Sequence, residues 1–440
     1  MNPDIDSPES TESQLTRGGL MTFGVKVASV ILGFALQLLI ARLLGQSGYG
    51  DYTFAVATLN FLVVAALAGG DSAATRFVAN YHTCPSLLSQ FLQWLNVRAI
   101  ILSIGCLGLA LLLLQWIKLV DERPVWGLVQ IISLALPFQV FALIRQGILR
   151  GRHRPVLSVI PEGLVRPIVT LMLLWWVISF FSQGSLSPRD AAVIFVFVSL
   201  VALMVGQVLM KQGLAQVDKT QNTEQRGNPK QWQSMALASM LTATAMTLHA
   251  QCDIWMLGLY TNGQTVGPYA AATKYATLVI FGLNAVNTAA GPMVARSTDP
   301  RQQHDQLQKI AQRIVWISFL LGGGVAALLL IFPEAFLGLF GEGFQRASLA
   351  LRILVAGNLF NIACGSVGML LSMSGYHVVL MRILLASTLL NVTLNLLLIP
   401  WFQTTGAAIA TGLSILFWNS VALVFVRRLL KIRPTLGGLV

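Results

Sequence analysis

The sequence predicts an all-α integral membrane protein of about twelve transmembrane helices, and two observations support this prediction. Hydrophobic residues make up 55% of the 440 residues and charged residues 10%, whereas a water-soluble domain carries roughly a quarter charged residues. The apolar residues also fall in runs close to the ~20 residues that cross ~30 Å of hydrocarbon as a helix. The charged residues are too few to cover a water-soluble surface of this size. The chain is therefore expected to fold in a bilayer.

The apolar runs are predicted to be helices and not barrel strands. LGLALLLLQW (107–116) lacks the strict alternation of apolar and polar residues that a barrel strand shows. The longest polar gap, 212–232, is rich in Gln, Asn and Lys and separates two lobes of six spans each, at 18–211 and 233–427. Residues 1–17 and 428–440 are predicted cytoplasmic tails, the first of them disordered. The predicted spans are 18–44, 51–70, 93–116, 125–147, 156–182, 190–211, 233–258, 267–293, 311–333, 347–372, 378–399 and 404–426.

The placement of lysine and arginine predicts that both termini are cytoplasmic. In that orientation 18 basic residues lie on the cytoplasmic side and 4 on the outer side, as the positive-inside rule requires. The densest basic cluster is RGRHRP at 150–155. It has two interpretations: it attracts anionic membrane lipids or the approaching substrate, or it serves only to set this topology. The basic residues lie in short loops without a recognisable nucleic-acid module, so no nucleic-acid partner is expected.

One short motif occurs twice, at the same place in each half. ARLLGQSGYGDYTFA (41–55) and MLGLYTNGQTVGPYAAA (256–272) both run Leu-Gly, a polar turn, Gly-x-Tyr and Ala between the first and second spans of their halves. A tight turn needs glycine for its left-handed backbone, but the shared Leu, Tyr and Ala favour an internal repeat. Two parallel six-helix repeats are expected to form lobes around a central cavity, with alternating access by rocking.

Catalysis and bound cofactors are not expected. The sequence contains no GxxxxGK[ST] phosphate loop, no HExxH and no GxSxG motif. Its four cysteines are scattered without a CxxC pair, which predicts neither a disulfide nor a metal cluster. The outer loops are short and nearly uncharged, which argues against a membrane glycosyltransferase.

Charged side chains within spans are the candidates for function, because each is unfavourable in hydrocarbon by about 3 kcal/mol. Basic residues outnumber the two clearly embedded acids, Glu162 and Asp253. The interior is therefore net cationic and suited to an anionic group. Lys26 and Lys274 are the favoured substrate contacts, because each lies one to two turns inside a span expected to line the cavity. The basic residues within spans or at their ends are Lys26, Arg42, Arg98, Arg166, Lys274, Arg352 and Arg382.

The other basic residues have a structural alternative. Arg42, Arg98, Arg352 and Arg382 lie near span ends, where long side chains extend to the interface. Glu162 and Arg166 are four residues apart on one helix, so they either neutralise each other or face the substrate. For Arg98, Arg166 and Arg352 we keep substrate binding as the functional hypothesis.

Ion coupling has its own candidates. His249 and Asp253 are four residues apart and share a helical face. A carboxylate beside an imidazole in a low-dielectric site suits proton coupling, and Asp253 alternatively coordinates sodium. The structural alternative is a hydrated aspartate and a histidine bonded to a neighbouring helix. Glu162 is the third candidate for ion coupling.

The chain resembles the Wzx-type polysaccharide-biosynthesis and O-antigen flippases of the multidrug/oligosaccharidyl-lipid/polysaccharide (MOP) exporter superfamily. The resemblance rests on residues 41–79, on DIWMLGLYTNGQTVGPYAAATKYA (253–276), on Gly291-Pro292 and on NVTLNLLLIPWFQTTGAAIATG (391–412), and it extends over roughly 17–430. The family usually carries an aromatic-Gly pair before the Gly-Ala-Ala of the last motif, where this chain has Trp401 to Thr405; the difference is expected to change a turn.

The resemblance implies a V-shaped pair of lobes in a bacterial inner membrane. It also implies translocation of an undecaprenyl-pyrophosphate-linked oligosaccharide, with H⁺ or Na⁺ coupling and possible contacts to other polysaccharide assembly proteins. The main alternative is a cation-coupled multidrug exporter of the same superfamily, whose cavity would be acidic. A non-transporting scaffold for glycan assembly is disfavoured, because it gains nothing from embedded charges.

Overall fold

The computed structural model of the chain describes residues 8–180, 186–214, 227–296 and 303–436. All regular structure within these ranges is helical, which confirms the all-α prediction. The first half contains α1 (Pro8–Leu67), α2 (Gly70–Asn80), α3 (Pro85–Val120), α4 (Val125–Ser133), α5 (Leu136–Gly151), α6 (Pro155–Ile160), a π-helical turn (Pro161–Val165), α7 (Arg166–Phe180) and α8 (Pro188–Leu214). The second half contains α9 (Pro229–Tyr260), α10 (Gly263–Arg296), α11 (Gln303–Ile331), α12 (Pro333–Gly338), a 3₁₀ turn (Phe344–Ala347), α13 (Ser348–Cys364), α14 (Val367–Met373) and α15 (His377–Leu429).

Seven helices of the described chain are long and apolar enough to cross a membrane, or eight if the bent pair α4–α5 is one span. This number is below twelve partly because α1 and α15 each contain two predicted spans, interrupted at Gly45 and Gln403 respectively. The predicted spans 233–258 and 267–293 lie in α9 and α10, which have 32 and 34 residues but are not among the seven. The chain is therefore a multi-pass membrane protein.

Large apolar side chains cover much of the outer surface. Leu119 on α3 is 82% exposed, Trp175 on α7 69% and Leu320 on α11 80%. Water would disfavour so much exposed apolar area, whereas lipid tails contact it without penalty. The exposed rows therefore mark the lipid-facing sides of these helices.

The chain divides into two compact units that do not coincide with the two halves of the sequence. Unit 1 comprises Met1–Leu43 and Thr58–Thr244, and unit 2 comprises Leu44–Ala57 and Ala245–Val440. The first repeated segment therefore groups with the second half of the chain. Conversely, the first four turns of α9 belong to unit 1, and the rest of that helix belongs to unit 2.

Within unit 1, α5 packs against α2, α3 and α8. Arg145 of α5 is 9% exposed and donates to Gln207 Oε1 at 2.6 Å and to Asn96 Oδ1 at 2.9 Å. Arg145 is one of the 18 basic residues that the positive-inside prediction assigns to the cytoplasmic side, whereas the structure buries it inside the unit. The two amide oxygens accept from two of its five N–H donors, so Arg145 joins α3, α5 and α8.

Within unit 2, the two repeated segments lie against each other. A Cβ atom on Gly50 would overlap the carbonyl group of Gly263, and one on Gly267 would overlap the carbonyl of Gln46. Gln46 also donates from Nε2 to the carbonyl of Gln264 at 2.6 Å. The glycines of the repeat are thus required for backbone contact between the two copies, a reason beyond the turn geometry inferred from the sequence.

The short connection after α3 is held by one carboxylate. Asp121 Oδ2 accepts from Trp126 Nε1 at 2.9 Å and from Arg123 Nε at 2.8 Å. The hydrogen bond from Trp126, together with those from Arg123, holds the pKa of Asp121 below its ordinary value. The connection is therefore stabilised above the ordinary aspartate pKa, and this contribution disappears as the pH falls through the lowered value.

α15 folds back on itself at Gln403. Ser387 Oγ donates to the carbonyl of Ser414, and Asn391 Nδ2 donates to Thr411 Oγ1, so the two arms are antiparallel. At the turn, Gln403 is the residue of α15 whose backbone angles depart from helical values, with φ 46° and ψ −120°. This backbone conformation suits glycine and strains a side chain.

Replacing Gln403 with glycine should stabilise the protein by about 1 kcal/mol, because the turn would lose its strain. Gln403 is exposed, so the substitution removes no packing. Thermal unfolding of the purified protein should show a higher Tm for Gln403→Gly, while Gln403→Ala should stay near wild type. An unchanged or lower Tm for the glycine variant would show that the turn carries no strain.

Candidate functional site

A buried carboxylate on α9 in unit 2 accepts hydrogen bonds from side chains of α10 and α15. Asp253 on α9 is 5% exposed. Its Oδ2 accepts from Tyr269 Oη of α10 at 2.5 Å and from Thr411 Oγ1 of α15 at 3.3 Å. Its Oδ1 accepts from the backbone N–H of Ile254 at 2.8 Å. The predicted coupling residue is therefore held in one orientation.

A cation lies near this carboxylate. Lys274 is partly buried on α10, five residues beyond Tyr269, and interacts electrostatically with Asp253. No direct ion pair joins the two side chains among the described residues. The structure thus places two of the predicted functional residues, one acid and one base, in the same neighbourhood of unit 2.

A chain of amide side chains extends the site along α15. Asn391 donates to Thr411 Oγ1 at 3.3 Å, and Asn395 donates from Nδ2 to Asn391 Oδ1 at 3.0 Å. Asn395 is fully buried, and its Oδ1 has no hydrogen-bond partner in the described chain. An unsatisfied buried oxygen is unfavourable. Carboxylate, hydroxyl and amide oxygens together form the kind of ligand set that hard cations prefer.

His249 lies one turn before Asp253 on α9, as the spacing predicted. Its Nδ1 is buried and has no hydrogen-bond partner among the described residues. The structure gives no hydrogen bond between the imidazole and Asp253. The recorded partners of the carboxylate are instead Tyr269, Thr411 and the backbone N–H of Ile254.

The predicted Glu162–Arg166 pair forms in unit 1. Arg166 Nη1 donates to Glu162 Oε2 at 2.7 Å, and the guanidinium lies 4.4 Å from the ring centroid of Phe195. With the Gln139 amide turned so that its oxygen faces the guanidinium, this oxygen accepts from both Arg166 Nη atoms, at 2.9 and 2.8 Å. The pair sits at the π-helical turn Pro161–Val165, a helix irregularity often found at functional sites. Whether it binds substrate or couples an ion stays a prediction.

The other predicted cationic residues are distant from Asp253 in the sequence, and each has different neighbours. Lys26 is partly buried on α1. Arg98 on α3 donates to the carbonyl of Ala68 at 2.9 Å and lies over the ring of Trp94. Arg352 on α13 and Arg382 on α15 are exposed, as expected of side chains that reach an interface.

Four members of the unit 2 site were not predicted. Asn391 and Asn395 carry a visible signal, because two asparagines four residues apart on one helical face are unusual in an apolar span. Tyr269 was noticed as part of the repeat and not as a carboxylate partner. Thr411 carries no signal of its own, since threonine is common in membrane helices.

Comparison with known families and proteins agrees with this architecture. A family model described as polysaccharide biosynthesis protein matches residues 15–298, and a second, described as MatE, matches residues 238–397. Two curated relatives come from Haloferax volcanii. The probable low-salt glycan biosynthesis flippase Agl15 is 24% identical over 284 residues, 64% of this chain and 57% of the relative. The probable flippase AglR is 22% identical over 437 residues, 96% of this chain and 85% of the relative.

Solved structures share the fold at low sequence identity. The lipid II flippase MurJ in an inward closed conformation has a TM-score of 0.71 at 13% identity, over 93% of this chain and 87% of its own. An inward-facing multidrug resistance MATE transporter of the MOP superfamily has a TM-score of 0.68 at 14% identity, over 94% and 98%. The fold is thus that of MOP superfamily transporters. Because the polysaccharide biosynthesis model matches more than half of its residues, the chain belongs to the polysaccharide biosynthesis protein family of multi-pass membrane proteins.

Proposed function

We propose that the chain is a flippase that moves a lipid-linked oligosaccharide across the membrane by alternating access, driven by an ion gradient. The single observation that carries this proposal is the buried Asp253 cluster with Lys274 beside it. Membership of the polysaccharide biosynthesis family and relatives named as probable flippases support the same function.

In this proposal Lys274 serves the anionic end of the substrate. A polyprenyl-linked glycan carries a diphosphate, and a partly buried ammonium strengthens its attraction in a low-dielectric site. Lys26 on α1 stays a separate candidate for the anionic substrate, because it also lies within a span. Arg166 and Arg352 are further candidates, on α7 and α13.

Asp253 serves the coupling ion. The proposed Na⁺ ligands are oxygens of Asp253, Thr411, Asn391 and Asn395, of which Asn395 Oδ1 has no hydrogen-bond partner in the described chain. The alternative coupling ion is H⁺, carried on the same carboxylate. Either ion would neutralise the negative charge of Asp253 near Lys274. Ion binding would therefore change how strongly Lys274 attracts the substrate, and the two binding events would be coupled.

A cation-coupled multidrug exporter is the second candidate. It is favoured by the MatE model over residues 238–397 and by the MATE structural neighbours. The two candidates differ in the role of Lys274: an ammonium attracts a diphosphate and repels a cationic drug. The decisive test therefore compares substrates of opposite charge.

Lys274→Gln should slow flipping of undecaprenyl-pyrophosphate-linked oligosaccharide by about 10- to 100-fold. Loss of one charged hydrogen bond weakens binding by about 1.5–3 kcal/mol. The assay uses the purified full chain in liposomes with an imposed Na⁺ or H⁺ gradient and a fluorescent glycan. Export of a cationic dye is measured in parallel.

Lys309→Gln is the matched control, because Lys309 is an exposed lysine of α11 and should leave flipping unchanged. If wild type moves the dye and not the glycan, the exporter assignment replaces the flippase. If wild type flips the glycan and Lys274→Gln does so equally fast, flippase activity stands but Lys274 is not its diphosphate contact.

A further inference from the structure

A cavity of about 660 Å³ lies at the first turns of α3 and α9 in unit 1. Its wall includes Trp94, Val97, Arg98, Trp232 and the amides of Gln90 and Gln93. Arg98 is the one charged side chain among the described residues that line it. The cavity is therefore cationic at one point and otherwise neutral.

Arg98 is fixed in place but keeps unused donors. Its Nη2 donates to the carbonyl of Ala68 at 2.9 Å, and its guanidinium carbon lies 5.4 Å from the ring centroid of Trp94. No acidic side chain pairs with it among the described residues. A guanidinium has five N–H donors, so the remaining donors suit a phosphate.

The aromatic side chains of this cavity are not available to stack on a sugar. Trp94 is flanked by Arg98 and by Phe91, whose ring stacks on it at 6.0 Å. Trp232 is 2% exposed and donates to Tyr81 Oη at 3.0 Å. Both indoles are thus occupied by protein groups, which disfavours a glycan ligand and leaves the charge of Arg98 as the recognition element.

The cavity opens onto an apolar surface. Val97 and Ile101 are 51% and 64% exposed on the same side of α3, and Leu237 and Leu241 are 47% and 58% exposed on α9. These residues belong to the lipid-facing rows. A ligand with a phosphate at Arg98 would therefore extend an apolar tail along them.

We propose that this cavity binds the phosphodiester headgroup of an anionic phospholipid, with its acyl chains on the exposed apolar rows of α3 and α9. The single guanidinium matches one negative charge and not the two or more of a diphosphate. This site is independent of the proposed flippase function. It assigns Arg98 to a structural lipid, in place of the substrate contact predicted from the sequence.

The test measures binding of phosphatidylglycerol to the detergent-solubilised full chain by native mass spectrometry. Arg98→Gln should weaken binding about fivefold or more, with no change for zwitterionic phosphatidylethanolamine. Gln93→Glu is the second variant, because Gln93 is exposed and a carboxylate there repels phosphate without disturbing the core. Arg189→Gln, an exposed arginine of α8, is the control and should bind as wild type.

Equal phosphatidylglycerol affinity in wild type, Arg98→Gln and Gln93→Glu would overturn the proposal. Undecaprenyl diphosphate is titrated as a third probe. If that lipid alone depends on Arg98, the proposal is also overturned, and the cavity belongs to substrate entry instead.

Discussion

Replacing Asp253 with asparagine should abolish ion-driven glycan flipping while leaving the protein folded. Asparagine has the shape of aspartate, and its amide oxygen can take the place of Oδ2 and accept from Tyr269 and Thr411, so the three helices stay joined while the bond from the Ile254 N–H is lost. It carries no charge to bind an ion or to interact with Lys274. We expect at least a 100-fold lower flipping rate under an imposed gradient, about 3 kcal/mol in the barrier.

The measurement is the liposome assay with the Na⁺ and H⁺ gradients imposed separately, together with Tm. Glu342→Gln is the matched control, because Glu342 is an exposed acid of unit 2. Thr411→Val and Asn395→Leu should weaken dependence on Na⁺ if the ion is sodium and have smaller effects if it is H⁺. Wild-type rates and ion dependence in Asp253→Asn would rule out this cluster as the coupling site.

Gly50→Ala should destabilise unit 2 by about 3 kcal/mol, because overpacking at a backbone contact forces the two repeated segments apart. The new methyl group would meet the carbonyl of Gly263, and backbone cannot move aside as a flexible side chain does. Gly263→Ala should have a similar effect, since its Cβ would meet the carbonyl of Ser47. The readout is the Tm of the purified protein.

Gly33→Ala is the control for this pair. Gly33 also lies in α1, but a Cβ there has no atom within 4 Å. Alanine favours helix over glycine by up to about 1 kcal/mol, so Tm should stay level or rise. If Gly50→Ala and Gly33→Ala behave alike, the close contact between the repeated segments is not part of the stable structure.

The helices were predictable because hydrocarbon allows few alternatives. A buried backbone must satisfy its own hydrogen bonds, so apolar runs such as 93–116 become helices, here α3. Local irregularities were harder to predict. The breaks at Gly45 and Gln403, the π-helical turn and the separate helix α2 depend on how helices meet, which hydropathy does not record.

The charged residues of the site could be predicted from the sequence, but its neutral residues could not. Asp253, Lys274 and the Glu162–Arg166 pair stand out because each is unfavourable in lipid. Tyr269 and Thr411 are distant from Asp253 in sequence, and only the packing of α9, α10 and α15 brings them together. The environment of Arg98 was equally hidden, since the residues around it come from α3 and from the start of α9.

The exchange of segments between the two units has a consequence for dividing the chain. Residues 233–244 lie in the second predicted lobe but group with unit 1, and Leu44–Ala57 lies in the first predicted lobe but groups with unit 2. Neither half of the sequence therefore encodes a complete compact unit. If the chain were cut within residues 212–232, each fragment would lack a segment of its own unit, so neither fragment is expected to fold into a complete unit alone.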